Sequence, residues 1–439
     1  MYFDRKWYLN QLIAKKNNAL IKVITGARRS GKSYLMNQIF YGSLLKDGVK
    51  EKNIIRFAFD NDEHLDLLDS FYPEEKTKIS VGKDAYVVNS KKFRAYIKSV
   101  TNDTEKFYLL LDEIQLLESF VGTLNGFLSH ANFDVYVTGS NSQLLSSEIE
   151  TKFRGRKSSI HLLPLSFSEF VSGSQLSPDL AWKKYIVTGG IPIVYQQKEE
   201  DRESYLMDLC QETYLKDIIG RKHVKDGDTL SDLFGVLASC VGSGVSPSSL
   251  EKAFRARKSV SVSDDTIATY IHHFEDAFVV SIANKYNIKG RAYINTPFKV
   301  YFEDIGVRNA QTNFSQIEET HLMENIIYNE LRYRGFHVSV GEVDVNEMTD
   351  RIDINGKKIY KQKSLEVDFI ATKGNQKYYI QSCLNMNDEE TLKREKRSLH
   401  AIDDSFEKII VTKNGLDTFI DENGYRIIDI FDFLLNPPF

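Results

Sequence analysis

Three cysteines in 439 residues (Cys210, Cys240 and Cys383) form no CxxC pair. That excludes a zinc-ribbon or thioredoxin-like arrangement. So sparse and odd a set suits a reducing cytoplasm, where we expect the protein to reside. No apolar run reaches the roughly 20 residues of a membrane span. The opening stretch MYFDRKWYLNQLIAKKNN has no uninterrupted apolar core, so neither membrane nor signal peptide is expected. An excess of positive charge is also missing. The formal net charge is −4, which neither demands nor excludes nucleic acid, because a basic face can sit on an acidic chain. What is present is a globular composition: 42% hydrophobic, 27% charged, 23 Tyr and 27 Phe. A large core is available, a mostly disordered chain is not expected, and the length suggests two or three domains.

Near the N-terminus, Ala19–Thr25 is rich in β-branched residues and reads as a strand, while Tyr34, Leu35, Met36 and Ile39 give a helical pattern. Between them lies Gly26-Ala27-Arg28-Arg29-Ser30-Gly31-Lys32-Ser33, a full match to GxxxxGK[ST] in its proper strand-to-helix setting. Glycines let the backbone wrap a phosphate with its amide hydrogens pointing inward, and the helix N-terminus favours an anion. ATP is the expected ligand for residues 26–34. Lys32 is expected to reach its β- and γ-phosphates, and Ser33 to ligate Mg²⁺.

A second motif is Phe107-Tyr108-Leu109-Leu110-Leu111-Asp112-Glu113. A wholly apolar run reads as a buried parallel strand, and its C-terminal end faces the ligand crevice. Asp112 is assigned to Mg²⁺ and Glu113 to polarising the attacking water. Asn53–Phe59 and Phe133–Thr138 read as further strands. After the latter, Ser140 and Asn141 are candidates to sense the γ-phosphate; Gly139 to Ser142 reads equally as a strand-ending turn. Arg154 and Arg156 are candidates to stabilise transition-state charge, in cis or from a neighbouring subunit, with a surface ion pair as the alternative for each.

From Gly26 through Leu165 the sequence resembles AAA-type ATPases of bacteria and archaea in which the ATPase domain is joined to a C-terminal domain of unknown function. The residues carrying the resemblance are Gly26–Ser33, Leu111–Gln115, Thr138-Gly139-Ser140, and the stretch from Gly155 through Leu163-Pro164-Leu165 to Glu169. Thr188-Gly189-Gly190-Ile191-Pro192 and Tyr214–Ile218 extend it over almost the whole chain. The resemblance implies an α/β fold, ATP binding and, less directly, hydrolysis. It supplies no client.

Domains are expected at 1–165 (ATPase), 166–224 (helical connector), 225–310 and 311–439. In 225–310, three helices and a hairpin read as a winged helix. Lys252, Arg255, Arg257 and Lys258 suit DNA phosphates, but Asp264 and Asp265 at the start of the proposed recognition helix oppose them. A protein-packing module is therefore preferred, with a homo-oligomer, a protein client or DNA as the candidate partners. In 311–439, Glu324 on a helix, Glu366 and Asp368 on one face of a strand, and Gln381 on the next strand look like a restriction-endonuclease-like frame gathering Mg²⁺. The position that holds lysine in that frame is Cys383, and a thiol cannot replace an ammonium. The expectation is a degenerate nuclease scaffold whose arrangement ATP switches. The rivals are an ATP-gated DNA-cleaving effector, with Lys377 or Lys393 supplying the missing cation, and an ATP-binding switch with negligible turnover.

Overall fold

The computed structural model describes residues 3–81, 85–139, 153, 155–222, 224–258, 262–352, 358–386, 389–413, 415 and 417–436. The chain divides into two compact units: residues 2–164 with 276–278, and residues 165–275 with 279–439.

In the first unit the apolar runs become the strands they suggest: β1 Ile21–Thr25, β2 Ile54–Ala58, β5 Phe107–Asp112, β6 Phe133–Thr138 and β7 Lys157–His161. A small antiparallel hairpin, β3 Lys78–Ser80 with β4 Tyr86–Val88, stands apart from them. The five strands pair in parallel in the order β2-β5-β6-β1-β7. Every residue of β1 and β5 is buried, as a sheet covered on both faces requires. Val23, Phe57, Leu109, Leu111, Val135 and Val137 join Phe93 and Phe127 of the flanking helices in one core. Among the described residues, a buried ion pair interrupts this apolar interior. Lys22 of β1 pairs with Asp134 of β6 and lies over the Tyr136 ring at 4.6 Å. Burial lowers the Lys22 pKa despite Asp134. Losing either partner would strand the other's charge in the sheet.

The second unit begins with helices. The later part of the expected helical connector forms Arg202–Asp208, a π-helical segment Leu209–Leu215, and Lys216–Lys222. The Gly-Gly-Ile-Pro turn is explained by packing: the Gly190 N–H donates to the buried Asp304 carboxylate at 2.6 Å, and Asp304 also caps the helix Ile305–Gln311 through the Val307 N–H. Burial pushes Asp304 up to about 6 although several backbone N–H groups oppose the shift.

Helices Gly227–Ser239, Pro247–Lys258 and Asp264–Asp276 follow, then the hairpin of β9 Val280–Asn287 and β10 Ala292–Phe302, with the two-residue β8 Gly244–Val245 on the outer edge of β10. Phe234 stacks on both Phe274 and Phe302, with ring centroids 4.7 and 5.5 Å away, and this fixes the helices on the hairpin. The remaining strands are β11 His337–Ile352, β12 Lys358–Lys373, β13 Gln376–Cys383, β14 Glu407–Thr412, β15 Phe419–Ile420 and β16 Arg426–Asp429. All nine strands form one sheet, β15-β16-β14-β13-β12-β11-β9-β10-β8. The join is a short parallel pairing of β9 with β11, in which Val340, Gly341 and Glu342 face Lys285, Tyr286 and Asn287.

Candidate functional site

The segment after β1 turns sharply. Gly26 has φ +144°, and a Cβ there would lie 2.2 Å from the Leu162 carbonyl oxygen, so no side chain fits. Gly31 has φ +97° and sits at the N-terminus of the helix beginning Lys32–Tyr34. Lys32 is buried, and its ammonium donates to the carbonyls of Gly26 at 3.0 Å and Ala27 at 2.8 Å. Ser30 is buried inside the loop, Arg28 is half-buried, and Arg29, Ser33 and Tyr34 are exposed.

The parallel register brings the C-terminal ends of the central strands together: Ile24 of β1 faces Thr138 of β6, and Ala58 of β2 faces Asp112 of β5. Asp112 is buried and receives three donors. The Thr138 hydroxyl and the Glu113 N–H (3.2 Å) reach Oδ1, and the Asn37 amide reaches Oδ2 at 3.3 Å. Burial raises the Asp112 pKa, and the Thr138 and Ser33 hydroxyls partly offset it. The loop serine thus lies within electrostatic reach of the strand-end aspartate. Glu113 is half-buried, has a left-handed backbone (φ 52°), and its carboxylate accepts from the Gln115 amide.

Two of the contacts around Asp112, Asn37 and Thr138, were assigned no role from sequence; Thr138 entered only within the Thr138-Gly139-Ser140 stretch. Asn37 lies one helical turn after Ser33, a spacing that could have flagged it. Ser140, Asn141 and Arg154 lie outside the described residues. Arg156 is exposed and precedes β7, where its carbonyl accepts from the N–H of Ile21, the first residue of β1. That is the opposite end of the sheet from the glycine loop, roughly 13–16 Å away over five strand residues. The structure does not bring Arg156 to the loop of its own chain.

The C-terminal candidates also converge, but around a cation the sequence reading did not supply. Lys299 of β10 is buried, with its Nζ 2.8 Å from Glu366, 2.9 Å from Glu324 and 3.4 Å from Asp368. Lys377, one of the two lysines weighed for that role, pairs instead with Asp404 at 3.8 Å. Gln381 accepts from the Asp368 N–H at 2.6 Å and donates to Glu395 at 2.6 Å, so both ends of its amide are engaged. In the helical region, Lys252 is exposed and Arg255 pairs with Glu251.

A parallel sheet in this strand order, a glycine loop opening a helix, and an acid at the end of the strand next but one to β1 define a P-loop domain of the AAA type. Residues 18–171 match the family described as "AAA domain", and residues 179–318 match a "Domain of unknown function (DUF8612)". The chain belongs to one family with a Haemophilus influenzae protein, itself described as uncharacterized, that is 31% identical over 439 residues, with 98% of each chain covered. It is also similar to a Methanocaldococcus jannaschii protein, 25% identical over 442 residues, covering 94% of this chain and 87% of that one. Two solved structures share 12% identity. Cdc6p of Pyrobaculum aerophilum has a TM-score of 0.31 and covers 73% of this chain and 93% of its own. Aeropyrum pernix ORC1, solved in complex with DNA, has a TM-score of 0.32 with 71% and 93% covered. Likeness at that level says nothing about what this chain binds. Among the described residues no helix is long and apolar enough to cross a membrane.

Proposed function

We propose that the protein binds ATP with Mg²⁺ at the Gly26–Ser33 loop and hydrolyses it, using the cycle to rearrange its other parts. The observation that carries this reading is the hydrogen bond of Asn37, one turn after Ser33, to Asp112 at 3.3 Å, with the Ser33 hydroxyl close enough to lower the acid's pKa. It puts one neutral and one anionic oxygen ligand side by side, where a triphosphate lying in the loop would present its outer phosphates. AAA-type P-loop domains generally work with Mg²⁺, and these donors suit it. Mg²⁺ takes one or two protein oxygens and completes its shell with water and phosphate, so a cage of three protein carboxylates is not needed. When bound, the ion would neutralise charge on the phosphates.

The chain's own residues do the rest. The loop N–H groups and the helix N-terminus hold the phosphates. Lys32 exchanges two backbone carbonyls for phosphate oxygens. Asn37 and Thr138 fix the rotamer of Asp112. Glu113 accepts the proton of the attacking water once its carboxylate leaves Gln115. Arg156 is left for a neighbouring subunit's nucleotide, and Ser140, Asn141 and Arg154 remain candidates beside the γ-phosphate. We further read residues 225–310 as a winged-helix-like packing module and 311–439 as a nuclease-like frame without cleavage activity.

Release of phosphate from ATP in Mg²⁺ tests the reading. Glu113→Gln should lower turnover by roughly 10²–10⁴-fold while ATP still binds. Lys32→Ala should lose binding. Full affinity and turnover in Lys32→Ala would refute the assignment, and wild-type binding with no turnover would favour a nucleotide-held switch.

A further inference from the structure

We propose that Lys299 is a resident counter-cation: it fills the acidic centre of Glu324, Glu366 and Asp368 in place of a divalent metal, and so latches the β9–β10 hairpin to the helix and strand that carry those acids.

The geometry is that of a filled site. An ammonium has three donors, and Lys299 has a separate carboxylate within 3.4 Å for each. The side chain is aimed there by an irregularity in its strand. The β9–β10 register shifts between Ile294 and Lys299, so Lys299 is the first paired residue after the break. Tyr301, two residues on and on the same face, donates its hydroxyl to Glu324 at 2.6 Å. A second lysine of the hairpin extends the pattern. Lys285 of β9 lies 3.1 Å from Glu366 and 3.4 Å from Glu342. The charges alternate from Glu324 through Lys299, Glu366 and Lys285 to Glu342, stitching two strands of the hairpin to β11, β12 and the helix Glu319–Tyr333.

The donor set does not fit the Mg²⁺ that a nuclease-like frame implies. A metal within about 2.0–2.6 Å of these oxygens would share them with a buried ammonium of like sign. The second oxygen of Asp368 accepts the Ser382 N–H at 2.9 Å, and the Gln381 amide is engaged at both ends. Glu324 is walled in on its far side, where a Cβ on Gly242 would come within 2.8 Å of Oε2. Among the described residues no group of three or more His, Cys, Asp or Glu is placed to hold a metal ion. Burial opposes charge on Lys299, but Asp368, Glu324 and Glu366 together outweigh it and raise its pKa above the ordinary value. The ammonium therefore persists across the physiological range. Burial likewise opposes ionisation of Glu366, yet Lys299 and Lys285 hold its carboxyl below the usual range.

The test is Mn²⁺ binding by electron paramagnetic resonance to the full chain without nucleotide, so the result does not depend on the ATP reading. Wild type should show no site sensitive to Asp368→Asn, any binding there being weaker than roughly 1 mM. Lys299→Ala should gain one Mn²⁺ per chain, lost again in Lys299→Ala/Asp368→Asn, and should melt roughly 10 °C lower without the metal. Because removing the lysine alone can unfold the unit, Lys299→Met/Glu366→Gln, which deletes one charge of each sign, is run alongside and should melt above Lys299→Met. A wild-type Mn²⁺ site abolished by Asp368→Asn overturns the proposal, as does Mg²⁺-dependent DNA cleavage lost in Asp368→Asn. So does a Lys299→Ala protein that melts like wild type and binds no Mn²⁺, or a double variant that melts no higher than Lys299→Met.

Discussion

Asp112 and Asp368 are both acids on strands, and both are gathered with polar neighbours, yet their surroundings differ in kind. Around Asp112 the donors are a hydroxyl, an amide and a backbone N–H, from Thr138, Asn37 and Glu113. All are neutral. They orient the carboxylate and leave its charge uncancelled, which is what an arriving cation requires. Around Asp368 the decisive neighbour is the Lys299 ammonium, which cancels charge outright. Neutral donors prepare an acid for chemistry; a fixed cation retires it into structure.

The contrast can be broken at several points. The largest effect belongs to Asp112→Asn, expected to cut Mg²⁺-ATP turnover by roughly 10²-fold or more, while Asp368→Asn should leave turnover within about twofold. Equal losses in the two variants, measured as phosphate release, would erase the distinction. Next comes Thr138→Val, which removes a hydroxyl from Asp112. By analogy with groups that orient metal ligands, it should raise the Mg²⁺ concentration for half-maximal turnover on the order of tenfold. An unchanged Mg²⁺ titration would show that the hydroxyl does not position the acid. Tyr301→Phe deletes a donor to Glu324 and should lower stability by about 1 kcal/mol in a urea melt with turnover unaltered.

The smallest effect concerns pH. Glu330, on the same helix as Glu324, pairs with Arg334 at 2.8 Å and lies within the electrostatic reach of Glu169. Burial lifts it to about 7, although Arg334 opposes the shift. A carboxyl raised in the folded state stabilises fully below its ordinary value and loses that contribution as pH climbs through about 7. Glu330→Gln should therefore lose less melting temperature between pH 5 and pH 8 than wild type. A steeper loss in the variant would reverse the sign.

The nucleotide loop and the strand ending in Asp112 were legible because each is a contiguous string whose local pattern states its geometry. Thr138 and Asn37 were not assigned a role, since a polar residue at a strand end marks no partner by itself, and the one-turn spacing of Asn37 from Ser33 gains meaning only once Ser33 is placed near the acid. Lys299 was hidden for another reason. It lies 69 residues before Asp368, in a hairpin that reads as a separate module, and only the β9–β11 pairing brings the two together. Strand β11 also escapes a period-two reading. Val338 and Val340 alternate on one parity, Val343 and Val345 on the other, and the register shift between Ser339 and Gly341 is where the faces exchange.

The nine-stranded sheet has a practical corollary. A chain severed after residue 310 would be cut not at a hinge but through a ladder of backbone hydrogen bonds. One fragment would carry Lys285 and Lys299 without their acids, the other a bare β11 edge with those acids unneutralised. Both would be raw strand margins open to pairing with any neighbour, so expression of either piece alone should end in aggregates.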